Sequence, residues 1–221
     1  AVAGTLLAGF WLLRVYDSLV ATDVAVGINV AVAVLALLLA GVRRFVPLPA
    51  PAPSAEARPA AAGLVLCAIA ASGATALGAE VVWTRLLGLL LGASVYTFSL
   101  ILAVFLVGLG LGSAAGSRLA ARSAVPGLWL ACAQALLVPA VLYSAWMIGE
   151  VIPWLEPTRV LQEHAYRRAA VRLPWDAARC LIAILPGPVL WGASFPLALA
   201  AVGQGHRDPG RLVGGVSAAN T

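Results

Sequence analysis

Charge is what this chain has least of. Charged residues make up 10% of its 221 positions and apolar residues 62%, whereas a soluble domain carries about 25% charged residues. A water-soluble globule is therefore excluded. Lysine is missing altogether, so all 14 basic residues are arginine and the net charge of +5 rests on groups that do not deprotonate in a protein. These arginines stand singly or in pairs between apolar runs, which excludes a nucleic-acid stripe and fits membrane topology signals. Histidine is reduced to His164 and His206, both in polar stretches, and no metal site is expected from them. Cys67, Cys132 and Cys180 lie in or beside apolar runs. They match neither a disulfide framework nor a zinc motif and read as buried small hydrophobes. The chain begins inside one apolar run at Ala1 and stops at Thr221 in another, which reads as a slice of a longer protein with no secretory signal at its start.

What is present is a series of uncharged apolar runs near the roughly 20 residues a bilayer-crossing helix needs, in a chain of mean hydropathy +0.98. The spacing predicts an all-α, polytopic transmembrane bundle with about five complete spans plus two partial ones. Residues 1–13 form a partial span and Val24 to Val42 a full one. The Pro/Ala-rich stretch 43–60 reads as a linker between two units. Ala61 to Ala79 is a third span, Glu80 to Leu91 an interfacial or re-entrant turn, and Gly92 to Gly112 a fourth span. After the short loop SRLAAR, a fifth runs from Ala124 to Ile148. Residues 149–176 are expected on the membrane surface, with Thr158 capping a short helix, Glu163 and Arg167 at i,i+4 spacing, and Trp146, Trp154, Trp175 and Trp191 forming an interfacial belt. A sixth span, Ala177 to Val202, is kinked or broken, and a seventh is cut short. Assigning loops to alternate sides puts seven arginines on each, but seven of the nine carboxylates on one. The short loops with few acids are the ones assigned to the cytoplasm.

Three groups of residues carry chemistry. Gly108, Gly112 and Gly116 recur every four residues and make one helix face nearly bare backbone, as close helix packing in lipid requires. The same stretch satisfies a G-x-G-x-x-A pattern, but it lies within an apolar span and not after a strand, so no nucleotide cofactor is implied. Glu80 and Arg85 flank Trp83 at the end of the third span, where charge is costly unless paired or wetted. They are candidates for substrate binding, or else a structural ion pair at the interface. Pro186, Pro188 and Pro196 mark a helix break, either a discontinuous transporter helix or a tolerated kink. No nucleophile and base are arranged for catalysis, and no catalytic residue, cofactor or metal is expected in these residues.

From Ser72 to Arg122 the chain resembles the membrane half of the bacterial fused major-facilitator/spermidine synthase proteins. The block Glu80, Trp83, Thr84 and Arg85 carries the resemblance, with Tyr96, Phe98, Ser99, Gly108, Gly112 and Ser113 after it. Shorter matches fall at Gly192, Ala193, Phe195 and Pro196 and at Ser217 to Thr221; Trp191 stands where methionine is more usual. The resemblance implies a major-facilitator-like six-span repeat. Residues 1–42 would end a first membrane unit and 61–221 would form most of a second. It further implies a transporter-like region in the bacterial inner membrane that anchors or serves a polyamine-related cytoplasmic domain absent from these residues. The alternatives are a transporter of a small cationic substrate and a non-catalytic membrane scaffold. The partners implied are the lipid bilayer, a polyamine or other small cation, and the remainder of a parent chain.

Overall fold

The structure is a computed structural model and describes residues 2–16, 18–42, 59–155, 169–203 and 209–220. All regular structure among them is helical. Helix α1 runs from Val2–Leu7 through a π turn, Ala8–Leu12, into Leu13–Val15. Then come α2 (Ser18–Val42), α3 (Pro59–Leu91) and α4 (Val95–Arg122). Helix α5 (Pro126–Trp146) continues through a π turn, Met147–Val151, to Ile152–Trp154. The last three are α6 (Ala169–Ile184), α7 (Pro186–Gly203) and α8 (Pro209–Asn220).

Five of these helices contain stretches long and apolar enough to cross a bilayer: Leu19–Leu38, Gly63–Leu91, Val95–Arg122, Pro126–Trp154 and Pro186–Gly203. Their outward faces carry large apolar side chains such as Leu64, Leu89 and Leu142, each more than 60% exposed. Such a surface is stable against lipid and not against water. The chain is a multi-span helical membrane protein.

Local chemistry explains the turns. Gly92 joins α3 to α4 with φ of 95°, a left-handed value that a side chain would strain. The Ser94 hydroxyl then accepts from the Thr97 amide at 3.2 Å and caps α4. Pro126 opens α5 at a position where no helical N–H is needed.

Helix α7 runs through the middle of the bundle and packs on α3, α4, α5 and α8. One apolar core, including Leu87, Ile101, Ile152 and Ile184, lies toward the end of the bundle where α3 meets α4. A second, with Ile69, Leu130, Leu197 and Val216, lies toward the other end. Helix α2 contributes no buried residue along its apolar stretch.

Several expected boundaries move. Glu80 to Leu91 is not a turn but the last third of α3. The stretch holds no proline and is rich in leucine, a strong helix former, so nothing in it interrupts the backbone ladder. SRLAAR is not a loop either, but the closing turns of α4. The tryptophan belt fails at Trp191, which is 5% exposed and inside the bundle. Cys180 is buried, whereas Cys67 and Cys132 face outward; a thiol is apolar enough for a lipid-facing position. The expected surface helix at Thr158, the Glu163 and Arg167 pair, both histidines and most of the 43–60 linker lie outside the described residues.

Between α6 and α7 only Leu185 intervenes. Pro186 has no N–H for the carbonyl of Ile182, four residues earlier, and the Tyr143 hydroxyl of α5 donates to that carbonyl at 3.1 Å. Pro188 lies in the first turn of α7, while Pro139 and Pro196 sit inside α5 and α7 without ending them.

Candidate functional site

Glu80, Trp83 and Arg85 share α3 but not a direction. Five residues of continuous helix turn about 500°, leaving the two charges some 140° apart, and no ion pair joins them among the described residues. Glu80 is half-buried and Arg85 exposed. Arg85 precedes the end of α3 by six residues, about 9 Å of rise, close enough for its long side chain to reach the interface. Trp83 is 4% exposed. Its ring lies 5.7 Å from that of Trp191 and 6.5 Å from that of Phe105, and those two are 6.2 Å apart.

Glu80 opens onto a cleft of about 300 Å³ whose walls include Ser72, Phe105, Leu109, Trp191 and Asn220. Among the described residues it is the one charged residue in that lining. Ser72, Gly73, Ala76, Leu77 and Glu80 are the α3 contribution, one face of the helix by their spacing. From Ser72 to Glu80 this face rises about 12 Å. Trp83 does not line the cleft; it backs the aromatic wall. Trp191 is fixed there through its indole N–H, which donates to Thr75 Oγ1 at 3.3 Å, so its polar group is satisfied inside the bundle.

Close helix approach forms the cleft. Gly108, Gly112 and Gly116 of α4 lie against Pro188, Val189 and Ala193 of α7, and Gly192 of α7 answers against the backbone of Leu109. Gly73 of α3 lies against the main chain of Asn220, which brings α8 to the cleft. Beside it, Gln134 Nε2 of α5 donates to Ser72 Oγ at 3.1 Å and to Ser194 Oγ at 2.9 Å. Ser194 in turn donates to the carbonyl of Leu190 at 2.8 Å. One amide thus ties α3, α5 and α7 together. Membrane hydrogen bonds average about 0.6 kcal/mol each, so Gln134→Leu is expected to lower stability by about 1 kcal/mol, read as the thermal midpoint in detergent. An unchanged midpoint would mean that the amide does not bind the three helices.

No family model, curated protein or solved structure matches this chain. What the site can do therefore follows from its own groups. A single carboxylate facing apolar and aromatic walls is suited to an organic cation, which gains both the charge and the electron-rich ring faces.

A second polar group lies at the end of the bundle where α3 meets α4. Asp176 and Arg179 of α6 are each 5% exposed. Asp176 Oδ1 is 3.4 Å from Arg179 Nη1 and its Oδ2 is 3.4 Å from Arg172 Nε. Both arginines also donate to main-chain carbonyls: Arg172 Nη2 to Leu91 at 2.7 Å and Arg179 Nη2 to Ile152 at 3.0 Å. Leu91 is the last residue of α3, and Ile152 begins the last turn of α5. Cations are favourable at such helix C-termini, so α6 pins the ends of two helices. Sequence reasoning missed this group, although the i,i+4 and i,i+3 spacing of Arg172, Asp176 and Arg179 was a signal for it.

Proposed function

We propose that this chain is a transporter-like membrane region of the fused major-facilitator/spermidine synthase kind, whose Glu80 cleft receives a linear organic cation of the polyamine class. One observation carries the cation reading: among the described residues, Glu80 is the one charged group lining a cleft built largely from apolar and aromatic side chains. An ammonium group beside Glu80 meets its charge, with Trp191 and Phe105 in the same cleft. At the far end the oxygens of Ser72 and Asn220 can accept from a second amine, and Ala76, Leu77 and Leu106 suit the methylenes between. A chain carrying an amine at each end fits this shape better than a compact cation.

The family part of the proposal rests on the Glu80 to Arg85 block and the shorter matches after it. On that reading residues 1–42 close a first membrane unit and 61–221 form most of a second. The membrane is the bacterial inner membrane, and the polyamine-related domain lies outside these residues.

Calorimetric titration of the purified chain with spermidine in detergent tests the site. Glu80→Gln is expected to weaken binding by about tenfold or more while the thermal midpoint stays near that of the parent. Equal affinities would remove Glu80 from the site and favour a scaffold.

A further inference from the structure

The Arg172 group borders a cleft that the cation reading does not use. Its volume is about 440 Å³, and its lining includes Phe10, Ser94, Tyr96, Leu100, Arg172 and Asp176. It sits at the Gly92–Ser94 connection, immediately after the last apolar turn of α3 and before the first of α4. That connection lies at headgroup depth if both helices cross the bilayer. The Arg172 side chain is 46% exposed and that of Asp176 only 7%, so a ligand entering the cleft meets the guanidinium before the carboxylate. Phe10 and Tyr96, with ring centres 5.3 Å apart, supply the aromatic wall common at this depth.

A second trough of about 440 Å³ shares Ala93, Ser94 and Thr97 with the first and continues past Gly88, Thr84 and Phe98. Thr84 is seven residues inside the end of α3, about 10 Å toward the membrane centre. Gly88 leaves the trough open, with nothing within 4 Å of where a side chain would start. A cleft with an exposed guanidinium at headgroup depth that runs into an apolar trough along two spanning helices has the shape and polarity of a phospholipid.

We propose that the two contiguous clefts form one binding site for an anionic phospholipid, its phosphate on Arg172 and an acyl chain in the trough along Thr84, Gly88 and Phe98. The headgroup is anionic because the exposed charge in the described lining is the Arg172 guanidinium, whereas the Asp176 carboxylate is too enclosed to receive an ammonium.

Native mass spectrometry of the detergent-purified chain, titrated with phosphatidylglycerol or with phosphatidylcholine of the same acyl chains, tests this. Phosphatidylglycerol is expected to bind about fivefold tighter, and Arg172→Gln to abolish that preference. Gly88→Leu, which blocks the trough and touches no described polar contact, is expected to weaken both lipids. Inorganic phosphate in excess should not displace the lipid. Equal binding of the two lipids, normal binding by Gly88→Leu, or displacement by phosphate would each overturn the proposal. Because Gly88→Leu leaves Arg172 intact, the test survives if Arg172→Gln fails to fold.

Discussion

Gly112→Val is expected to separate α4 from α7. A Cβ at Gly112 would meet the carbonyl carbon of Val189 at 2.7 Å and its Cα at 2.9 Å. These are backbone atoms and cannot rotate away, so the helices must part, and α7 also packs on α3, α5 and α8. Overpacking of this kind costs about 3 kcal/mol, which for a chain of this size corresponds to a fall of about 6–12 °C in thermal midpoint. Gly110 provides the control, because it lies on the same helix with nothing within 4 Å of its Cβ position. Gly110→Val should stay within about 1 kcal/mol of the parent, the modest range of surface substitutions. Equal midpoints for the two valine variants would mean that the α4–α7 crossing is not as close as described.

The second large effect is expected at Arg179→Met. The Arg179 and Asp176 side chains are 6% and 7% exposed, so removing the guanidinium takes one cationic partner from a buried carboxylate, leaving it Arg172, and deprives the Ile152 carbonyl of a donor. Breaking a buried pair from one side costs about 3–5 kcal/mol, whereas replacing both partners by apolar groups is often close to neutral. Arg179→Met combined with Asp176→Leu should therefore recover much of the loss, although Arg172 then loses its carboxylate partner. Denaturant titration of the parent, both single variants and the double variant measures the coupling. A double variant as unstable as the sum of the singles would show that the two residues act separately.

The helices were largely legible because a span needs only a long uncharged apolar run, and composition carries that directly. Boundaries were less legible where charge entered a helix. Glu80 and Arg85 suggested a turn, yet a helix of 33 residues, α3, is about 50 Å long and exceeds the hydrocarbon thickness of roughly 30 Å. It can therefore carry charge near one end without breaking. The environment of Glu80 was only half legible. Its cost in lipid could be read from the sequence, but its neighbours Trp191 and Asn220 arrive from helices more than 100 residues away. The bond from Gln134 to Ser72 spans 62 residues, and no local pattern announces it. The Arg172, Asp176 and Arg179 group was written in its spacing, but the proline-rich flanks drew that segment toward a surface reading.

The phenol of Tyr143 bears on how this bundle could be cut and recombined. The discontinuity at Pro186 belongs to α6 and α7 in the covalent chain, but the oxygen it uncovers is hydrogen-bonded from α5. A chimera that transplants residues 169–203 into another bundle would carry the break without its donor. It would leave a carbonyl seeking water where none is at hand, unless a hydroxyl travels with it on the neighbouring helix.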